Sequence, residues 1–158
     1  MAFPLDYFVF ITLGIFLVPI SLIDARFYRI PNYLISAAII VLFGYYFIFH
    51  AEQLLSALVS GLLALAVMLL FWLFSKRRIG LGDVKLSFLI GAALGFFEWW
   101  LALFVASLSA VVFFFIGLAL KRLDWKDKIP LAPFFSLGVI CVFLVKLFSI
   151  DVLLLSIV

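Results

Sequence analysis

Long apolar runs, separated by short polar stretches, set the pattern of this chain. Apolar positions are nearly continuous over about 5–23, 33–50, 54–75, 84–97, 100–120 and 131–149. They do not alternate residue by residue, so the pattern favours helices over a closed barrel of strands. About 20 apolar residues make a helix that crosses a bilayer. The expectation is an all-α, polytopic membrane protein with about six transmembrane helices, formed as a single domain over residues 1–158. Pro31 with Asn32, and Pro130, mark helix starts. The fourth run is short. The apolar tail from Val152 to Val158 either extends the last helix or lies in the membrane interface.

Composition makes the bilayer the solvent. Of 158 residues, 70% are hydrophobic and 12% are charged, against roughly half and about a quarter in a soluble domain. Lipid leaves each backbone N–H and C=O to be paired inside the protein. The net charge of +3 does not point to nucleic acid, because the basic residues fall in short loops between the apolar runs. Arg26, Arg29, Lys76, Arg77, Arg78, Lys85, Lys121, Arg122, Lys126 and Lys128 share one side, while Asp6, His50, Glu52, Glu98 and Asp151 fall on the other. Lys146 breaks the pattern and can snorkel to the outer interface. Retention of basic loops inside the cell then predicts both termini non-cytoplasmic, in a multi-pass protein of the plasma (inner) membrane. The N-terminus lacks the basic region of a cleavable signal. The single cysteine, Cys141, precludes a disulfide framework and a Cys-x-x-Cys zinc site.

Two carboxylates on the basic side carry the candidate chemistry. Asp124 and Asp127 sit in a mixed-charge loop and read as solvated. Asp24 stands at the end of the first run. Asp83 stands where the fourth begins, in Gly80-Leu81-Gly82-Asp83-Val84-Lys85. From Asp83 to Glu98 the chain offers about 23 Å of helix, less than the roughly 30 Å hydrocarbon core, so Asp83 is expected within the membrane's depth, where ionisable groups are functional candidates. Each residue has a plainer explanation. Asp83 could be a helix N-cap, and Asp24 could pair with Arg26 or Arg29. Together the two fit aspartic proteolysis, in which one carboxylate draws a proton from water and the other acid hydrogen-bonds the scissile carbonyl. Glycines beside Asp83 would let a substrate backbone approach. The negative end of the first helix and the positive end of the fourth predict the shared proton on Asp24.

At these residues the sequence resembles the type IV prepilin peptidase family of Gly-x-Gly-Asp intramembrane aspartic proteases. Three stretches carry the resemblance: Asp24-Ala25-Arg26-Phe27-Tyr28-Arg29-Ile30-Pro31-Asn32, Gly80-Leu81-Gly82-Asp83-Val84-Lys85-Leu86, and Ile129-Pro130-Leu131-Ala132-Pro133-Phe134. The resemblance implies an endopeptidase that removes the short basic leader of type IV pilin-like precursors at the cytoplasmic membrane face. It implies Asp24 and Asp83 as the catalytic pair, and Gly80, Gly82, Lys85, Pro31, Asn32, Pro130 and Pro133 as binding or motif support. Larger members carry a cytoplasmic domain with paired Cys-x-x-Cys motifs and methylate the new N-terminus. Here the first loop is about eight residues long, so this is a short form with neither zinc nor methyltransferase activity expected, and no cofactor. It resembles the minimal peptidases of tight-adherence pilus systems or the preflagellin peptidases.

A second class of function is a small transporter or channel subunit with the aspartates as proton or cation sites. Both lie near one face, and nothing polar lines a path to the other. His50 is on the far side, which removes Ser-His catalysis and His-Glu-x-x-His metal chemistry. Trp99 and Trp100 read as an outer aromatic belt. Ser60 with Gly61, and Ser107 with Ser109, read as helix-packing positions. Cys141 reads as a buried small side chain. Lys85 reaches either lipid phosphate or the site.

Overall fold

A computed structural model describes the backbone of residues 7–75, 79–122, 124 and 129–155, with side chains to residue 148. Lys76, Arg77, Arg78, Lys126, Asp127, Lys128, Asp6 and the Asp151 side chain lie outside the described residues. The chain forms six helices: α1 Tyr7–Phe27, α2 Asn32–Phe49, α3 Ala51–Phe74, α4 Leu81–Leu94, α5 Phe96–Ala119 and α6 Ala132–Leu155. Four of them, α1, α2, α3 and α5, are long and apolar enough to cross a membrane. Large apolar side chains such as Ile40, Phe74 and Phe97 face outward, as a lipid solvent allows.

The helix boundaries differ from the sequence expectation where local chemistry acts. α1 runs past Asp24 to Phe27, because no breaker intervenes before Tyr28. Tyr28 then adopts φ 53° and its N–H bonds the Asp24 carbonyl at 2.8 Å, a left-handed stop after the last helical turn. Pro31, extended at φ −73°, ψ 121°, caps α2. α4 begins at Leu81, three residues earlier than expected, with Gly80 at its N-cap. It stops at Gly95, whose φ of +96° only glycine adopts readily. Glu98 therefore belongs to the first turn of α5, not to the fourth helix. The apolar tail extends α6 as far as Leu155.

α4 is the shortest helix and the most enclosed. Its 14 residues span about 21 Å at 1.5 Å each. It packs against all five other helices, and nine of its residues are buried. Small residues permit this. A Cβ on Gly91 would fall 2.5 Å from the Ala64 Cβ and 3.0 Å from the Ser60 carbonyl. A Cβ on Gly61 would lie 3.0 Å from Phe88 and from the Ala92 Cβ. Between α5 and α6, Gly138 sits on the Ala102 backbone. Close backbone approach of this kind replaces the hydrophobic drive that lipid does not supply.

Several side chains depart from their sequence reading. Trp99 is fully buried and stacks on Phe96 at 5.8 Å, so it belongs to the core; Trp100 alone of the two is exposed. Ser107 is exposed and Ser109 bonds its own helix at Val105 O and Ala106 O, leaving Ala102, Ala106 and Ala110 as the small buried positions of α5. Cys141 is half-buried. Lys146 is held by Glu98 at 3.3 Å, bridging α6 to the first turn of α5. His50, the single residue between α2 and α3, meets the Tyr45 hydroxyl at 3.1 Å and Glu52 at 3.7 Å.

Candidate active site

The end of α1 and the starts of α2, α4 and α6 gather at one end of the bundle. Asp24 and Asp83 lie there, 5% and 9% exposed. The two carboxyl groups are close enough to interact electrostatically, so the fold brings together the pair that the sequence singles out. Asp24 pairs with neither Arg26 nor Arg29 among the described residues, whereas the Asp83 carboxyl does serve the start of α4, through the Gly80 backbone. Asp83 is not the N-cap of α4 but the third residue inside it.

Asp24 is held by backbone. The Ala132 N–H donates to Asp24 Oδ2 at 3.1 Å, and the Leu131 N–H also serves this carboxyl. The local sequence explains why. A helix start leaves its first N–H groups without intrahelical partners. In α6 the Phe134 and Phe135 N–H groups close onto Leu131 O at 3.1 and 3.0 Å, and Pro130 and Pro133 have no N–H. Leu131 and Ala132 keep the remaining donors, and the Ala132 N–H bonds Asp24. The proline bracket thus leaves its unpaired N–H groups beside one carboxyl group. α6 also adds a third helix end, positive in sign, to the two considered from the sequence. The field at Asp24 is not that of α1 alone, and the expectation that the proton rests on Asp24 loses its basis.

Asp83 is held by its own helix start. Its N–H bonds Gly80 O at 3.1 Å, and its carboxyl folds back to the Gly80 backbone. A Cβ on Gly80 would stand 3.0 Å from Asp83 Oδ2. Gly82 makes the other close approach: a Cβ there would fall 2.8 Å from the Ile30 Cβ. Gly80 thus leaves room for the Asp83 carboxyl, and Gly82 lets α4 pack onto the loop between α1 and α2. Lys85 Nζ reaches Asn32 Oδ1 at 3.0 Å, so this lysine turns to the first motif and not to lipid. Both line a groove of about 300 Å³ with Ser36, Leu65 and Phe88.

Three polar contributors escaped the sequence reading. The donors at Leu131 and Ala132 are backbone, and the two prolines around them were the available signal. Ser21 Oγ and Ser136 Oγ lie 2.6 Å apart, one turn from Asp24 and Ala132. Ser87 lies one turn beyond Asp83 and is fully buried; its i, i+4 spacing from Asp83 was readable. Among the described residues, no cluster of three or more His, Cys, Asp or Glu could hold a metal ion.

The model of the type IV leader peptidase family matches residues 11–116. That stretch contains Asp24 through Asn32 and Gly80 through Leu86; the proline bracket lies beyond it. No curated protein and no solved structure matches the chain.

Proposed function

The chain belongs to the type IV leader peptidase family, and from that premise we propose that it is a membrane aspartic endopeptidase with Asp24 and Asp83 as its catalytic pair. The observation that supports this reading is the burial of two carboxyl groups, from α1 and α4, at one end of a largely apolar bundle and within electrostatic reach of each other. A buried charge is costly without compensation. Two within electrostatic reach of each other are best served by holding one proton between them, the state that aspartic proteolysis uses. The ionised carboxylate takes a proton from water as its oxygen attacks the scissile carbonyl carbon. The other carboxylic acid donates a hydrogen bond to the carbonyl oxygen, and collapse of the tetrahedral intermediate sends a proton to the departing amine.

The substrate in this reading is a type IV pilin-like precursor with a basic leader, cut at the cytoplasmic face. Arg26, Arg29, Lys85, Lys121 and Arg122 all lie at or beside the helix ends near the aspartates, and basic retention puts that end inside the cell. In this reading α4 and α6 also cross the bilayer, giving six spans, both termini outside and one peptidase unit over the whole chain. α4 is shorter than the hydrocarbon core, so the Asp83 end stops below the surface, where a peptide can be met away from bulk water.

The test is co-expression with a pilin-like precursor and measurement of leader removal. Wild type cleaves; Asp24→Asn and Asp83→Asn, at equal membrane levels, lose at least about a hundredfold. Cleavage that survives either substitution removes that residue from the pair.

A further inference from the structure

Ser87 is the second buried polar residue of α4, four positions after Asp83 and on the same face. Its side chain is fully buried, and its Oγ has no hydrogen-bond partner among the described residues. Asp83 Oδ1 is likewise buried and unpartnered. Other helical serines of this protein place the hydroxyl differently. Ser56 donates to Gln53 O at 2.8 Å, Ser109 to Val105 O at 2.8 Å, and Ser136 to Ala132 O at 3.1 Å. Each returns its proton to the preceding turn of its own helix, which is the common resort of a serine in an apolar helix. Ser87 does not. A buried hydroxyl and a buried carboxyl oxygen left unpaired one turn apart are both unfavourable, and each offers what the other lacks: a donor and an acceptor.

We infer that Ser87 is a positioning residue for Asp83. Its hydroxyl donates to Asp83 Oδ1 through one bridging water and sets the orientation of that carboxyl. The Gly80 backbone already serves this carboxyl, and Ser87 would supply a partner for the oxygen left without one. This role rests on the aspartic peptidase reading for its consequence in catalysis, but the contact itself does not.

Infrared difference spectra of the purified protein in lipid separate the two questions. Subtracting Asp83→Asn from wild type isolates the Asp83 carboxyl bands. Ser87→Ala is expected to move those bands in the direction of a lost donor, and Ser87→Cys, which keeps the volume with a weaker donor, to move them part of the way. Bands in Ser87→Ala that coincide with wild type overturn the inference. In the cleavage assay Ser87→Ala is expected to lower kcat about tenfold with KM unchanged, and an unchanged kcat also overturns the positioning role. If Asp83→Asn still cleaves, the aspartic reading fails, while the infrared comparison still decides whether Ser87 meets Asp83.

Discussion

Lys85 Nζ donates to Asn32 Oδ1 across 3.0 Å, tying the fifth residue of α4 to the first residue of α2. The bond joins the two segments that carry the aspartates: Asn32 closes the loop that follows Asp24, and Lys85 follows Asp83 by two positions. It is exposed, so water competes for both partners and its effect on stability is small. Its consequence is geometric. A carboxyl pair misplaced by an ångström loses much of its rate.

Lys85→Met and Asn32→Ala are therefore each expected to leave membrane levels unchanged and to lower leader cleavage about tenfold. The double substitution is expected to be no worse than either single one, because both remove the same bond. Additive losses in that cycle would mean that the two residues act separately.

Gly82→Ala sets two effects against each other. Alanine in a helix is favoured over glycine by about 1 kcal/mol. Yet the new Cβ would lie 2.8 Å from the Ile30 Cβ, and overpacking of that kind costs about 1–3 kcal/mol. The clash wins, and it acts by driving α4 off the loop between α1 and α2. Thermal unfolding in detergent is expected to fall, and cleavage to fall further than unfolding alone accounts for. A fully active Gly82→Ala would show that the approach of these backbones is not needed.

Gly14 and Gly138 give a paired control on packing. A Cβ at Gly14 meets nothing within 4 Å, whereas one at Gly138 runs into the backbone of Ala102. Gly14→Ala is expected to be neutral or to stabilise α1 by up to about 1 kcal/mol. Gly138→Ala is expected to separate α5 from α6 and lower the unfolding temperature by several degrees, the scale of about 1–3 kcal/mol of overpacking. Equal unfolding temperatures for the two variants would contradict the close α5–α6 contact.

The helices and the burial of the two aspartates were legible for physical reasons. Uninterrupted apolar runs have few alternatives to a helix in lipid, and Asp24 and Asp83 stand out because carboxylates are costly there. Contacts between elements were less legible. Trp99 at the start of α5 has the same sequence context whether it anchors at the interface or fills the core, and only its neighbour Phe96 and the surrounding helices bury it. Lys146 read as a lone outer lysine because its partner, Glu98, lies far away in sequence. Asp24 read as a helix end because Tyr28, a residue rarely left-handed, performs the stop that glycine usually signals. The support of Asp24 by Leu131 and Ala132 was hidden most completely, since backbone N–H groups belong to every residue but proline.

That support yields the sharpest prediction, Ala132→Pro. Proline is well tolerated at the first position of a helix, where its fixed φ suits the turn and its missing N–H closes no intrahelical bond. Ala132 is that first residue. The substitution therefore leaves α6 able to form and removes the donor to Asp24 Oδ2. A hydrogen bond to a charged group contributes about 1.5–3 kcal/mol, so cleavage is expected to fall between about tenfold and about a hundredfold. Leu131→Ala keeps both N–H groups and is expected to cleave within a few-fold of wild type. Because Ala132 is fully buried, helical content and unfolding of Ala132→Pro must be followed alongside cleavage. Retained helix with lost activity fits a donor at Asp24, and retained helix with full activity would show that the α6 start does not support the carboxylate.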